Sequence, residues 1–311
     1  MTEAPFYRRL ALIGIGLIGS SIALAARATG SVGEIAIHTR SPETLKRAEE
    51  LRLGDAYFTT AAEAVRGADC VIVCVPVGAC GAVAAEIGPH LDPGAVVSDV
   101  GSVKSAVVKA MAPHLPRSVH FIPGHPIAGT EYSGPDAGFA SLYQNRWCVL
   151  TPGPEVDPAA IERFAAFWRA LGANVETMSA EHHDLVLAIT SHLPHLIAYN
   201  IVRTASDLEA GIRSEELKFS ASGFRDFPRI AASDPTMWRD IFLANKEAVL
   251  EMLGRFNEDL AQLTRAIRTG DGDTLFELFT RTRAIRRSIL AIGQDTAAPD
   301  FGRRTAEPPK G

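Results

Sequence analysis

The chain has 311 residues, of which 47% are hydrophobic and 22% charged, and its formal net charge is -5 at pH 7. This length favours two domains, and the composition is that of an ordinary globular protein. The negative charge argues against a nucleic-acid partner, because such partners require a basic face. We expect no membrane-spanning run and find no signal-peptide pattern at the N-terminus. The sequence therefore predicts a cytoplasmic protein.

The cysteines give no sign of a disulfide framework or of a zinc site. Cys70 and Cys74 lie on one predicted strand at an even spacing, so their side chains should face the same side. Together with Cys80 and Cys148 they fit neither pattern of spacing. We expect buried, reduced thiols.

A short apolar run near the N-terminus ends in three glycines, Gly14, Gly16 and Gly19, and an Ala-rich helical pattern follows at once. Strand, G-x-G-x-x-G turn and helix in this order are typical of dinucleotide binding. Gly14 would allow the tight turn, Gly16 the approach of a pyrophosphate, and Gly19 the packing of helix on strand. The first helical residues, Leu17 and Ile18, would offer free N–H groups to the phosphates. The alternative is a glycine-rich turn that binds nothing.

The second predicted strand, residues 34–38, bears on the choice of cofactor. An acidic residue at its tip would bind the ribose 2′-hydroxyl of NAD, but Thr39, Arg40 and Ser41 follow instead. A guanidinium can bind two oxygens of a 2′-phosphate, which favours NADP, with NAD still possible. The alternative is that Arg40 is a solvated loop residue and that NAD binds.

The alternation of apolar runs with helical patterns continues through the first part of the chain. Further strands are predicted at 68–76, 95–99, 119–122, 147–150 and 173–177. Helices are predicted after the glycine fingerprint, after the second strand as far as residue 51, and at 77–87 and 158–171. Such alternation predicts an α/β fold with a doubly wound, mainly parallel sheet, forming a dinucleotide-binding Rossmann domain over residues 1–178.

From residue 179 the strand patterns stop. Helical patterns at 181–205, 237–269 and 273–292 predict an all-α second domain over residues 179–296. These helices are more apolar than a small isolated domain requires, so we expect a substrate domain that also forms a homodimer. The tail 297–311 is expected to be disordered.

Two stretches stand where a parallel sheet presents its ligands, beyond the carboxyl ends of the strands. Ser102 follows the predicted strand 95–99 and could cap the next helix, a role compatible with a hydrogen bond to substrate. His125 stands between Gly124 and Pro126 at the end of another strand. Its ordinary pKa suits general acid–base catalysis near neutral pH; the alternative is a hydrogen-bonded structural histidine.

A third group of candidates lies in the helical region. His192 and His195 flank a proline, but no cysteine or carboxylate pattern completes a metal site, so we expect no metal. Arg225 and Arg229 stand in an apolar context. A cation there needs a carboxylate, either from an internal partner such as Asp226 or from an anionic substrate.

Taken together, these motifs resemble the prephenate/arogenate (cyclohexadienyl) dehydrogenases of tyrosine biosynthesis. The resemblance covers about residues 9–293. Besides the glycine fingerprint, it rests on residues 99–104, 124–129 with Glu131, 191–195, and 226–231 with 234–239, which occur in this order. The departure is Thr39-Arg40, where NAD-preferring members carry an acid, and this leaves the cofactor open.

The resemblance implies an oxidoreductase that converts prephenate to 4-hydroxyphenylpyruvate, or arogenate to tyrosine, with loss of CO2 and hydride transfer to NAD(P)+. His125 matches the catalytic histidine that takes the alcohol proton, and Ser102 matches a serine that binds the same hydroxyl or orients the histidine. Arg229 matches an arginine that binds a substrate carboxylate.

The resemblance also implies further site residues. His195, and with less support His192, would contact substrate, whereas Glu131 and Asp226 would gate the site or hold the arginine. The residues assigned to the cofactor are Gly14, Gly16, Leu17, Ile18, Gly19, Thr39, Arg40, Ser41, Val75 and Asp99.

Two other functions compete with this one. A β-hydroxyacid dehydrogenase or imine reductase shares a Rossmann half and a helical dimer half, but it relies on a lysine in the helical domain and would leave His125 without a role. A dinucleotide sensor without catalysis would need the glycines but neither His125 nor Arg229.

Overall fold

A computed structural model describes residues 4–130, 132–207, 224 and 227–291. The chain divides into two compact units, one formed by Met1–Met252 and the other by Leu253–Gly311. All described site residues lie before Leu253 and so belong to the first unit.

Six parallel strands form the central sheet of the first unit. Their order across the sheet is β3-β2-β1-β4-β5-β6. This is the Rossmann order, in which successive strands are added on one side of β1 up to β3 and then on its other side from β4 onwards. The predicted α/β fold is therefore confirmed, although the short edge strand β3 was not predicted. The strands are β1 Tyr7–Ile13, β2 Val32–His38, β3 Ala56–Phe58, β4 Cys70–Val73, β5 Val96–Asp99 and β6 His120–Phe121.

Helices connect these strands and cover the sheet. The residues of β1 and β4 alternate between two buried apolar clusters, one containing Leu10 and Leu12 and the other Ala11 and Ile13. Burial of both faces explains why these strands read as continuous apolar runs. The helices of this part are α1 Leu17–Thr29, α2 Pro42–Glu50, α3 Ala61–Ala64, α4 Cys80–Ile87 and α5 Lys104–Met111.

The cysteines agree with the prediction of unpaired thiols. Cys70, Cys80 and Cys148 are buried and Cys74 is half-buried, and all four are free. Cys70 and Cys74 both contact the same apolar cluster, as their even spacing predicted. Burial raises the pKa of Cys70 well above its ordinary value, so this thiol is protonated at neutral pH.

A second, three-stranded sheet follows the first and differs from the prediction. Its strands are β7 Gly124–Pro126, β8 Trp147–Leu150 and β9 Asn174–Thr177, and helix α6 Pro158–Ala170 joins β8 to β9. β7 runs antiparallel to β8, whereas β8 and β9 are parallel. The predicted strands at 147–150 and 173–177 exist but do not extend the central sheet. The sequence around β7 did not predict a strand, because Gly and Pro flank its central residue.

The remaining described elements are helical. The run Ala180–Ser206 consists of α7 Ala180–Leu187, a π-helical segment Ala188–His192 and α8 Leu193–Ser206. The predicted helix 237–269 is divided at Asn245 into α9 Pro235–Ala244 and α10 Lys246–Thr269. The last helix is α11 Gly272–Ala291, and the predicted tail 297–311 lies outside the described residues.

One finding corrects the expectation that the chain holds no membrane-length apolar run. The helical run Ala180–Ser206 is long and apolar enough to cross a membrane by length and composition, with a mean hydropathy of 1.5. A helix in the core of a soluble protein can have the same length and composition. Hydrogen bonds from the backbone of α5 to Asp184 of α7 also hold the beginning of this run on the first unit.

Candidate functional site

The glycine fingerprint forms the turn between β1 and α1. A Cβ atom on Gly14 would lie 2.3 Å from the backbone oxygen of Cys74, and one on Gly19 would lie 2.4 Å from the oxygen of Gly14. Both glycines are therefore required by packing, and Gly14 also has a φ of +101°. A Cβ atom on Gly16 would meet nothing within 4 Å in the described part of the chain. Gly16 thus leaves open space at the turn, as the approach of a pyrophosphate requires.

The N-terminus of α1 is suited to an anion. Among the described residues, none caps this end through its side chain, and the first turn contains no acidic residue. The half-buried Leu17 and Ile18 carry N–H groups of this first turn, whose partial positive charge attracts phosphate. Val75, another predicted cofactor residue, lies half-buried beside Gly14.

The tip of β2 opens onto a cavity of about 400 Å³. Arg40 and Lys46 line it together with Thr39, and the carboxylates Glu49 and Asp55 line it too. Arg40 is exposed, so its guanidinium is accessible to a ligand here.

Ser41 beside this cavity has a structural task. Its hydroxyl accepts a hydrogen bond from the backbone N–H of Thr44 at 3.1 Å, capping α2, and donates to Glu43 at 2.8 Å. A capping hydroxyl of this kind stabilises a helix by about 1 kcal/mol.

Asp99 was predicted to bind the cofactor, and the structure gives it a different task. Its carboxylate pairs with the ammonium group of Lys104, and both side chains are fully buried. Asp99 also accepts the backbone N–H of Gly101 at 2.7 Å and that of Gly124 at 3.3 Å, while Lys104 donates to the oxygen of Gly124 at 2.6 Å. The pair thus joins the end of β5 to the residue before His125. A fully enclosed carboxylate has no surface to offer a ribose, so the side chain of Asp99 serves this joint.

His125 occupies the middle of β7, opposite Val149 of β8, and its side chain is buried. Its Nδ1 atom lies 2.8 Å from Nε2 of His183. Burial lowers the pKa of His125 well below its ordinary value, and the neighbouring His183 and Lys104 lower it further. His125 is therefore neutral at neutral pH, the state required of a general base.

His183 and Asp184 of α7 continue the contact. His183 is completely buried, and its Nδ1 atom lies 2.9 Å from a carboxylate oxygen of Asp184. Burial raises the pKa of Asp184, but hydrogen bonds from His183 and from the backbone of Lys104 outweigh it, so the pKa is lowered. An ionised carboxylate therefore ends a row of hydrogen bonds that begins at His125.

The beginning of α5 corrects the predicted role of Ser102 as a helix cap. The N-cap residue is Val103, whose side chain forms no capping hydrogen bond. Asp184 caps the helix instead, accepting the backbone N–H groups of Lys104 at 2.7 Å and Ser105 at 2.9 Å. Ser102 is half-buried just before this end, so its hydroxyl is not occupied by that cap.

His192 lies in the π-helical segment and is buried. Its Nδ1 atom accepts a hydrogen bond from the amide of Asn245 at 3.1 Å, and the same amide donates to the backbone oxygen of Asp184 at 2.8 Å. Burial lowers the pKa of His192 to about 4. Within the described part of the chain its Nε2 atom has no hydrogen bond of standard geometry, although a weaker backbone interaction with Ser102 acts on the ring.

His195 stacks on Trp238 of α9, with ring centroids 3.6 Å apart. Its Nδ1 atom lies 2.9 Å from the backbone oxygen of Ser191, so Nδ1 carries the proton in the neutral ring. Burial lowers the pKa of His195, and the charge of Arg229 adds to this effect. Arg229 stands in the 3-10 helix Phe227–Ala232 and is exposed, contrary to the apolar enclosure that the sequence suggested.

Glu131, Arg225 and Asp226 lie outside the described residues. Within residues 4–130, 132–207, 224 and 227–291, no group of three or more His, Cys, Asp or Glu side chains could hold a metal ion.

Sequence reasoning missed the residues that surround His125. Lys104, His183, Asp184 and Asn245 all contribute buried hydrogen bonds here. The run His182-His183-Asp184 at the start of a predicted helix was the available signal. Its meaning depends on which of these side chains turns inwards, and that is decided by the contact with α5.

Comparisons with known proteins agree with this arrangement. Residues 22–177 match the prephenate dehydrogenase nucleotide-binding domain, and residues 179–281 match the prephenate dehydrogenase dimerization domain. Over 283 residues the chain is 43% identical to a cyclohexadienyl dehydrogenase of Zymomonas mobilis, covering 91% of this chain and 96% of the relative.

Solved structures give the same result. The prephenate dehydrogenase of Aquifex aeolicus, in complex with hydroxyphenyl propionate and NAD+, superimposes with a TM-score of 0.84 at 34% identity, covering 91% of this chain and 98% of the other. An arogenate dehydrogenase of Synechocystis gives a TM-score of 0.78 at 28% identity, covering 90% and 99%.

Proposed function

The chain belongs to the prephenate dehydrogenase family, and we propose that it oxidises prephenate, arogenate or both in tyrosine biosynthesis. The reaction removes hydride and CO2 from the substrate ring and yields 4-hydroxyphenylpyruvate or tyrosine. The cofactor is a nicotinamide dinucleotide. The observation that carries the proposal is the buried, neutral His125 at the sheet edge, hydrogen-bonded through Nδ1.

His125 supplies the proton acceptor in this reaction. The substrate hydroxyl transfers its proton to Nε2 of His125 while the carbon that bears this hydroxyl loses hydride. The ring carboxylate then leaves as CO2, its bonding electrons make the ring aromatic, and the proton returns to the phenolic oxygen. Bound NAD(P)+ supplies the hydride acceptor. The lowered pKa keeps His125 neutral, and thus able to accept this proton, at neutral pH.

Other residues bind and orient the substrate. Ser102 binds the same hydroxyl as His125, and Arg229 binds a carboxylate of the substrate. The neutral His195 presents Nε2 as an acceptor beside Arg229, because Nδ1 is occupied by Ser191. An accessible guanidinium suits this task because it can bind a carboxylate through two hydrogen bonds.

NADP is the proposed preference, with NAD also possible. Arg40 and Lys46 line the cavity at the tip of β2 and could bind a 2′-phosphate. Asp55 in the same cavity is occupied, since it accepts a backbone N–H from Ile35 at 2.8 Å and pairs with Arg27 at 3.1 Å. Its carboxylate is therefore not reserved for a ribose.

The protein is proposed to form a homodimer through its helical region. Within the second unit, Ile267 and Phe276 are 68% and 72% exposed, and Leu260, Phe279 and Ile285 are about half exposed. Such apolar exposure is typical of a surface that a partner covers, and the matching family domain is a dimerization domain. Light scattering after size-exclusion chromatography should give twice the mass of 33.3 kDa.

The test of the function is the formation of reduced nicotinamide from prephenate and arogenate, each with NAD+ and with NADP+. Turnover in at least one combination is expected, and the four rates decide both specificities. A His125→Asn variant serves as the catalytic control, and His182→Asn, at an exposed position of α7, is its matched partner. Absence of turnover in all four combinations by correctly folded enzyme would overturn the proposal.

A further inference from the structure

Three buried side chains form a row of hydrogen bonds behind the proposed proton acceptor. Asp184 lies 2.9 Å from Nδ1 of His183, and Nε2 of His183 lies 2.8 Å from Nδ1 of His125. His125 is on β7 and His183 on α7, 58 positions apart in the chain. The proposed reaction uses only the far nitrogen of His125, so the row behind it needs its own explanation.

The direction of the hydrogen bonds follows from Asp184. Its two oxygens accept the backbone N–H groups of Lys104 and Ser105, and its pKa is lowered. An ionised carboxylate can only accept hydrogen bonds, so Nδ1 of His183 must carry a proton. With one proton on its ring, His183 then has a bare Nε2 that accepts from Nδ1–H of His125. This leaves Nε2 of His125 with a free lone pair.

We propose that His183 and Asp184 are positioning residues that fix His125 in the tautomer whose Nε2 accepts the substrate proton. The inference rests on the proposed function. No proton moves along the row of hydrogen bonds, and the only bond to hydrogen that His125 breaks is the O–H of the substrate. The proton moves from the substrate hydroxyl to Nε2 and later returns to the phenolic oxygen, while Nδ1–H of His125 stays directed at His183.

The same geometry disfavours the opposite arrangement, in which both His125 and His183 carry their proton on Nε2. It would place the bare Nδ1 lone pair of His183 against the carboxylate of Asp184, with no proton between them. Asp184 cannot turn away to avoid this contact, because it also caps α5. The amide of Asn245 holds the backbone oxygen of Asp184 as well. Asp184 is therefore held at its carboxylate by the start of α5 and at its backbone by Asn245.

The first experiment reads the tautomer directly. The full-length protein is labelled with ¹⁵N in its histidine rings, and the His125 signals are identified by their loss in His125→Asn. In the resting wild type we expect a proton on Nδ1 and a bare Nε2. In Asp184→Asn we expect a mixture of tautomers or the reverse one, because an amide can donate to His183. A wild-type His125 protonated on Nε2 would overturn the proposal.

The second experiment separates positioning from general support of the fold. Asp184→Asn should lower kcat about 10²-fold or more, as expected for a base held in the wrong tautomer, with little change in KM. In a His125→Asn background the same substitution should change kcat less than about twofold, because the base it acts on is gone. Equal losses in both backgrounds would show a merely structural role and reject the proposal.

A second variant guards against the loss of the α5 cap in Asp184→Asn. His183→Gln keeps an oxygen that can accept from His125 and an amide that can donate to Asp184, whereas His183→Leu keeps neither. We expect the Gln variant to retain at least about tenfold more kcat than the Leu variant. Equal kcat values would contradict the positioning role of His183.

These results remain distinct from a failure of the proposed function. If the wild type turned over neither substrate with either cofactor, the kinetic arms would report on the function alone. The ¹⁵N spectra of the resting protein would still decide the tautomer.

Discussion

Replacement of Lys104 by Met would test how the fold holds the residue next to His125. Lys104 and Asp99 form a fully buried ion pair, and Met has a similar length without the charge. The variant would leave the Asp99 carboxylate enclosed without its cation, and the oxygen of Gly124 would lose its 2.6 Å donor. Leaving one partner of a buried pair uncompensated destabilises a protein by about 3–5 kcal/mol.

The structure places the expected loss at the lower end of that range. Asp99 keeps the backbone N–H groups of Gly101 at 2.7 Å and Gly124 at 3.3 Å, and both stabilise the charged form. We therefore expect the free energy of unfolding of Lys104→Met to fall by about 3 kcal/mol, a large part of the 5–15 kcal/mol typical of a domain. Turnover should fall as well, because Gly124 precedes His125.

Urea unfolding followed by circular dichroism and tryptophan fluorescence measures this loss. Asp99→Asn combined with Lys104→Met removes both charges and should recover most of the stability. Arg169→Met breaks the exposed pair with Glu162 and should change the free energy of unfolding by less than about 1 kcal/mol. If the free energy of unfolding of Lys104→Met lay within about 1 kcal/mol of the wild-type value, the argument from burial would be refuted.

Four further outcomes follow from the site. His125→Asn should lower kcat about 10²-fold or more with little change in substrate affinity, because it removes the general base; steady-state kinetics measures both. Arg229→Ala should raise KM for substrate about tenfold or more, the effect of losing a charged hydrogen bond, and lower kcat less. Arg40→Ala should raise KM for NADP+ but not for NAD+, since only NADP+ carries a 2′-phosphate. His192 has a pKa of about 4 in the folded chain against an ordinary 6.5, so the unfolded chain takes up this proton first. The contribution of His192 to the free energy of unfolding should therefore be fully present above pH 6.5 and fall by up to about 3 kcal/mol as the pH decreases towards 4. Urea unfolding at several pH values measures this change.

Exposed residues of the same types provide the controls. His182→Asn should leave kcat and the pH dependence of unfolding unchanged. Arg203→Ala and Arg66→Ala should leave KM for substrate and cofactor unchanged. An Arg229→Ala enzyme with wild-type KM would reject the carboxylate-binding role. Equal increases in KM for both cofactors in Arg40→Ala would remove the basis for NADP preference. A stability that is independent of pH between 6.5 and 4 would contradict the buried, neutral state of His192.

The sequence by itself determined the features that local patterns encode. The glycine fingerprint predicted a strand, a turn and a helix, because Gly14 and Gly19 have no room for a Cβ atom and this requirement is written in the residue type. The apolar runs of β1, β4 and β5 predicted a parallel sheet, since strands buried on both faces are apolar at every position. The motifs around His125 also identified the family correctly.

Only the tertiary structure decided how distant charges and rings pair. Asp99 is the last residue of β5, where a cofactor ligand is expected, and only the tertiary structure shows that its carboxylate pairs with Lys104 in the interior. Ser102 reads as a helix cap, yet Asp184 takes that position from a helix 80 residues further along the chain. His183 and Asp184 carry no periodic signal that separates them from an ordinary polar helix start. The physical reason is that the strength of a hydrogen bond or an ion pair depends on burial and on partners far away in sequence, which the tertiary fold alone brings together.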